Sequence, residues 1–249
     1  MANAPPRPPV PGPAFIRLLA RLSEADVAAS GAALADRLGQ WIDWTRAVAL
    51  SRALDGGLPA IDAATPGADT GADAGADACA RARDALEQAI SDAADAGSQR
   101  QATLCRADRD ADSSAAIDYA PLRERYLALQ RAMLTATGRL RGQLRDLLTH
   151  CSADMARLAE VDAVMELTLS PREQTLLAAV PALLGQHFER LREAAQRPPA
   201  DAHPAQPPQA TPAGAWLDVF RQDMQNVLRA ELDVRFHPIE GLLAALRTR

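Results

Sequence analysis

The sequence predicts an all-α, elongated helical bundle built on a long coiled-coil-like helical hairpin and interrupted by disordered linkers. Three observations carry that prediction. Apolar or small residues recur every three or four positions from Tyr119 through Leu122, Tyr126, Leu129, Met133, Ala136, Leu140, Leu144, Leu147, Cys151, Met155, Leu158 and Val161 to Met165. That is the seam of a helix packed on other helices. Only 4% of the 249 residues are aromatic, and alanine, leucine and arginine dominate, which favours helix over strand. Proline- and glycine-rich tracts separate the helical stretches.

The chain opens with a proline-rich tail over residues 1–13, read as disordered. Phe15–Leu22 then spells a short amphipathic helix. A helix over roughly 31–54 follows, with Leu34, Leu38, Trp41, Thr45 and Val48 on one stripe and Ile42 and Trp44 beside it. Trp41 and Trp44 are expected as packing anchors or interface residues. Asp55-Gly56-Gly57 ends this N-terminal unit, residues 14–57.

Residues 58–117 form an acidic, low-complexity segment rich in Ala, Asp and Gly. Gly67-Ala68-Asp69-Thr70, Gly71-Ala72-Asp73-Ala74 and Gly75-Ala76-Asp77-Ala78 repeat with a period of four. This matches neither the calcium-binding nonapeptide nor the EF-hand loop, so 58–78 is expected to be a disordered linker. One weak helix is expected at about 80–96, with Leu86 and Ile90 to bury, and the polar run 97–117 leads out of it.

Residues 118–197 are read as the long helix and its return. Asp118 and Pro121 start it. Uninterrupted to Thr168 it would be roughly 75 Å long, a length that needs partner helices. Ser170-Pro171-Arg172-Glu173 joins an N-cap serine to a first-turn proline and glutamate, so the chain is expected to turn just before it into an antiparallel helix kinked near Pro181. A second proline-rich linker covers 198–212. The C-terminal helices, 213–249, carry Trp216, Leu217, Phe220, Met224, Val227 and Leu228 on one side, and His237-Pro238 is expected to interrupt them. Glu231 falls inside the apolar stripe, which requires either a rim position or an arginine partner.

Charge is unevenly spread over the chain, whose net charge is −5. Residues 55–118 hold 5 Arg against 13 Asp and Glu, and 119–157 hold 7 against 3, so the two segments can attract each other. All 27 basic residues are arginine. Cys79, Cys105 and Cys151 form no C-x-x-C pair, no signal segment opens the chain, and no apolar run is long enough to cross a bilayer. A cytoplasmic, reduced protein without a transmembrane segment is expected.

No catalytic residue, metal ligand or cofactor is expected. His150, Cys151 and Asp154 share a helical turn, but only two ligands would face a metal and no third is in sight. No nucleophile elbow, H-E-x-x-H, phosphate loop or dinucleotide fingerprint occurs. The arginines Arg123, Arg125, Arg131, Arg139, Arg141, Arg145 and Arg157 spread over the side of the long helix away from its seam. A solvated face explains them, and a nucleic-acid surface is the alternative. On the same side Ala128, Thr135, Gly142, Thr149 and Ala156 recur every seven residues, with Gly138 beside them. Gly138, Gly142, Arg131, Arg139, Arg141 and Arg145, together with Trp41, Trp44 and Glu231, are therefore the interface candidates. A second, acidic helix from 80–96 or from a partner would dock on the small residues.

Four blocks carry a resemblance. They are Phe15–Leu22, Leu38-Gly39-Gln40-Trp41-Ile42-Asp43-Trp44-Thr45, the run Glu173–Arg192 containing Val180-Pro181-Ala182-Leu183-Leu184, and Ala230-Glu231-Leu232-Asp233-Val234-Arg235 with Pro238 and Gly241. In this order the chain resembles an uncharacterised bacterial family of about 250 residues, known only as a domain of unknown function. The genes of that family lie beside ones for proton-channel-like and outer-membrane-anchor-like proteins. The resemblance implies an accessory or assembly role in the cell envelope and supplies no catalytic residues. Residues and resemblance together point to a non-enzymatic helical scaffold that binds an unidentified protein partner or its own copies. A nucleic-acid-associated protein and an unrecognised enzyme are the second and third readings.

Overall fold

The computed structural model describes residues 13–24, 34–55, 68–107, 117–197 and 215–248. Among these residues the only regular elements are helices: α1 (Ala14–Ser23), α2 (Leu34–Trp41), α3 (Trp44–Asp55), α4 (Ala68–Ala107), α5 (Ala120–Thr149), α6 (Ala153–Leu177), α7 (Val180–Gln196) and α8 (Ala215–Arg247). The expected tail up to residue 12, the first part of the first linker (58–67) and the second linker (198–212) lie outside the described residues.

The centre of the bundle is α5. Its seam buries Leu122, Tyr126, Leu129, Met133, Leu140, Leu144 and Leu148, close to the expected stripe. Asp118 accepts the Ala120 backbone N–H at 3.1 Å, and Pro121 occupies the first turn, as the sequence indicates. Helix α8 runs alongside α5 in the same direction, since Tyr119 meets Phe220 and Tyr126 meets Glu231.

The described part of the expected linker, 68–78, and the expected short helix at 80–96 are corrected to one helix, α4. It runs antiparallel to α5, with Ala93 opposite Arg125, Gly75 opposite Leu144 and Gly71 opposite Leu147. A period of four places Gly71, Gly75 and Cys79 on one helical stripe. A Cβ at Gly75 would stand 3.1 Å from Leu144 Cδ2, so the glycine lets the two helices approach. Asp73 and Asp77 point out to solvent. The repeat that reads as a flexible tract is thus a small-residue packing seam that works only with α5 in place.

The long helix does not continue to Thr168. It ends at Thr149, and Ser152 caps a new helix by accepting the Met155 N–H at 3.2 Å. Cys151 and Met155 both pack against the core across this turn, so the three-and-four spacing runs through it unbroken. The turn expected before Ser170 is absent, because α6 passes straight through Pro171. Proline there leaves the Leu167 carbonyl without its helical donor. Arg46 of α3 donates to that carbonyl at 3.2 Å, which supplies the missing bond.

The helical hairpin is therefore α5–α6, with its bend at His150–Ser152. The chain kinks at Ala178–Ala179 before α7, and Pro181 lies in the first turn of that helix. Helix α7 runs antiparallel to α8, with His187 on Asp223 at 2.8 Å and Phe188 on Trp216. It therefore continues the direction of α6.

Two further expectations change. The single helix over 31–54 breaks at Ile42–Asp43, where Asp43 accepts the Arg46 backbone N–H at 2.8 Å and caps α3. That hydrogen bond holds the Asp43 carboxyl below its usual range. Conversely, α8 passes through His237-Pro238 without interruption. Phe236, Ile239 and Leu242 are all at most 3% exposed around the proline, so core packing outweighs a local cost of about 3 kcal/mol.

At one end of the bundle Tyr119, Phe188, Trp216 and Phe220 form an aromatic cluster with centroids 5.1–6.0 Å apart. The Tyr119 hydroxyl donates to the Pro181 carbonyl at 2.5 Å. Gly185 faces the Tyr119 ring so closely that a Cβ would stand 2.9 Å from Cε1. A Cβ at Gly142 meets nothing within 4 Å. Gly142→Ala is expected to stabilise the protein by about 1 kcal/mol through helix propensity. Gly185→Ala is expected to destabilise it by about 1–3 kcal/mol, because the pinned ring cannot yield cheaply. Thermal unfolding of the two variants checks this, and equal shifts would contradict the packing account.

Candidate interaction surfaces

The interface candidates fall into three groups. Glu231 is fully buried and belongs to the interior. It accepts the Tyr126 hydroxyl at 2.7 Å, the Gln130 amide at 3.0 and 3.2 Å, and Arg235 at 2.7 and 3.0 Å. Gln130 also donates to the Leu177 carbonyl at 3.2 Å, and Arg235 lies 3.6 Å from Glu173. One carboxylate thereby links α5, α6 and α8. Burial, reinforced by the Glu231 charge and hydrogen bond, pushes the Tyr126 phenol well above its usual range. Of the two alternatives for Glu231, rim or arginine partner, the partner is Arg235, one turn further along the same helix.

Arg141 and Arg145 form the second group. Arg141 holds Asp162 through two bonds of 2.6 and 2.8 Å, and Arg145 reaches Asp162 at 3.1 Å and also pairs with Glu166. The four side chains are 13–26% exposed. Desolvation opposes the Arg145 charge, yet the hydrogen bonds and charges of Glu166 and Asp162 outweigh it and raise its pKa. The acidic partner of this half of the arginine face is α6, and the partner expected in 80–96 is corrected accordingly. Trp41 is likewise engaged within the chain, with the Arg172 guanidinium 5.2 Å from its ring centroid.

The third group faces outward. Arg131 is exposed, and its Nε donates to Leu127 O at 3.1 Å. Arg139 is exposed, and a Cβ at Gly138 or Gly142 meets open space, so α4 does not dock on that stripe. Trp44 is 83% exposed at the start of α3, and Leu167 of α6 is 68% exposed beside the Arg46 contact.

Sequence reasoning missed Tyr126, Gln130, Arg235, Asp162 and Glu166. The signal for the last two was available: two acids four apart on α6 match two arginines four apart on α5. It was hidden by placing the turn eighteen residues too late.

The family described as a protein of unknown function (DUF3348) matches residues 1–248. The chain belongs to this family. No curated protein and no solved structure matches it. The DUF3348 assignment agrees with the resemblance carried by the four sequence blocks. Among the described residues no helix is long and apolar enough to cross a membrane.

Two predictions follow from the buried groups. Glu231→Ala leaves Arg235 without its main counter-charge, and denaturant unfolding should show a loss of about 3–5 kcal/mol. Replacing both, Glu231→Leu with Arg235→Met, should cost far less; equal losses would deny that the unpaired charge is the cause. The second concerns the chain's two tyrosines. Burial pushes Tyr119 up to about 12, and Tyr126 is raised further by burial and Glu231. Folded values above the unfolded one, near 10, mean that their stabilising contribution is full below about pH 10 and is lost as pH rises towards 12. Phenolate absorbance of the native protein should therefore stay flat through pH 10, and a native step there would refute the burial of these rings.

Proposed function

We propose that this DUF3348 member is a non-enzymatic helical scaffold that binds a protein partner through its α3–α6 face. The observation that supports the reading is the pair Trp44 and Leu167, 83% and 68% exposed, flanking the point where Arg46 fastens α3 to α6. Single exposed apolar residues need no explanation, but a tryptophan and a leucine left open on two helices that are joined to each other have the composition of a binding hot spot. The face is braced by the Arg46 side chain, which donates to the Leu167 carbonyl across the α3–α6 contact, and by the Arg172 guanidinium of α6 over the Trp41 ring at the end of α2, which favours a pre-organised surface.

The buried polar groups support a structural role, since Tyr126, Gln130, Glu231 and Arg235 satisfy one another within the core. The nucleic-acid alternative has less to draw on: Arg141 and Arg145 are neutralised by Asp162 and Glu166, leaving Arg123, Arg131 and Arg139 of the expected seven exposed. The resemblance to a family whose genes lie beside envelope-related ones supports a partner in a bacterial cell-envelope assembly, approached from the cytoplasmic side.

The test compares wild type with the variant Trp44→Asp/Leu167→Asp, both tagged and recovered from the native host. Both positions are exposed, so the variant should keep its thermal stability within about 0.5 kcal/mol. A stoichiometric protein partner lost selectively from the variant is the expected result. Self-association lost in the same variant, read by sedimentation, would make the partner a second copy. Capture that is identical for both forms would end the proposal for this face.

A further inference from the structure

Helix α1 is held on the bundle by one apolar stripe. Phe15, Leu18, Leu19 and Leu22 fall at the spacing that puts them on one side of a helix. Phe15, Ala20 and Leu22 are buried, Leu18 and Leu19 are half-buried against the core, and the helix packs chiefly on α7 and α8. The stripe thus fills the groove between those two antiparallel helices. At its end the Leu22 carbonyl accepts from the Arg190 guanidinium of α7, and Arg190 Nε lies 3.9 Å from the Glu24 carboxylate.

Two features make α1 a detachable unit. A helix of 10 residues is marginal by itself, and its three buried side chains are few against the entropy of ordering it, so α1 belongs to the part of the structure that opens first. The chain also leaves α1 through a strained residue. Glu24 stands at φ 54° and ψ 22°, and among the described residues it is the one non-glycine position with positive φ. Glutamate is disfavoured there because its Cβ crowds the neighbouring carbonyl. The Glu24 N–H closes the helix end on the Ala20 and Arg21 carbonyls, and the turn it makes carries the chain away while α1 stays on its own bundle. Residues 25–33 then lead to α2; nine residues can reach roughly 30 Å, about twice the length of α1.

We propose that α1 is exchanged between two copies of this chain, each copy's α1 filling the α7–α8 groove of the other. The occupant follows from the groove itself, which is already filled by α1. A second copy carries the identical helix, so the burial of Phe15 and Leu22 and the Arg190 contact are reproduced across the pair. A two-fold arrangement fills both grooves and leaves neither helix unpaired. The connection alone decides between the two forms: tethering favours the closed single chain, and release of Glu24 from its left-handed turn favours the pair. The proposal uses neither Trp44 nor Leu167 and stands apart from the scaffold reading.

The test uses the full chain, refolded at high concentration so that exchange can occur. Two forms, Glu24→Cys and Arg190→Cys, are made in a chain whose Cys79, Cys105 and Cys151 are changed to alanine, then refolded together and treated with a short bis-maleimide. A covalent dimer holding one of each form is expected, because α1 of one lies on α7 of the other. Adding Phe15→Asp/Leu22→Asp to the Glu24→Cys form should remove it. In sedimentation the dimer share of the wild type should rise with concentration. Glu24→Pro fixes φ near about −65° and forbids the left-handed turn, so its dimerisation constant should rise about tenfold. If α1 served only its own bundle, that variant would stay monomeric with a looser α1. Trp44→Asp/Leu167→Asp should leave the dimer unchanged, which separates failure here from failure of the α3–α6 reading. Absence of the mixed crosslink, a monomeric wild type together with a monomeric Glu24→Pro, or a dimer that survives Phe15→Asp/Leu22→Asp would each overturn the proposal.

Discussion

The Glu231 carboxylate is the constraint on which the rest of the arrangement depends. It sits at the middle of the bundle with no exposed surface and draws donors from Tyr126 and Gln130 of α5 and from Arg235 of its own helix. A charge in that position is tolerable only in one geometry. An apolar seam alone allows neighbouring helices to slide by a turn at little cost. The cluster removes that freedom, because a shift of one turn would part the carboxylate from Tyr126 and Gln130 and leave a phenol and an amide buried without their acceptor. Gln130 extends the same constraint to the end of α6 through the Leu177 carbonyl.

A second set of polar contacts acts at the periphery, where the helices have few large residues to bury. The arginines of α5 clamp α6 along its length, and Arg83 clamps α4 to α8 while its guanidinium lies 4.5 Å from the Phe236 ring centroid. In α6 the buried residues are Ala156, Ala159, Thr168 and Leu177, too little apolar surface to position a 25-residue helix unaided. Arginine suits this duty because its planar fork can hold a carboxylate through two bonds while its stem covers apolar surface. Arg46 works the same way on a backbone carbonyl exposed by Pro171. These inter-helix polar contacts act as devices for register.

This economy bears on function. Several arginines among the described residues are engaged in fixing the helices, while an open tryptophan on α3, an open leucine on α6 and an alanine-floored slot between α4 and α5 face outward. On the scaffold reading, recognition reads packing, in keeping with sequence blocks that are packing patterns rather than chemical signatures.

The sequence by itself determined the helical class, the core stripes of α1, α5 and α8, the start of α5 at Asp118 and the need of Glu231 for a partner, because each depends on local spacing or on the chemistry of one residue. Tertiary structure decided where the helices bend. Local capping signals at Ser152 and Ser170 are of comparable strength, and only the fit of Arg141 and Arg145 to Asp162 and Glu166 selects the first. Pro171 and Pro238 read as breaks, yet a donor from another helix satisfies the carbonyl freed by the first and surrounding core residues hold the second. The Gly-Ala-Asp repeat reads as a linker because glycine weakens an isolated helix; it becomes a packing seam only when Leu144 and Leu147 fill the space the glycines leave. Close approach between helices is a property of the pair, and a single helix's sequence cannot state it.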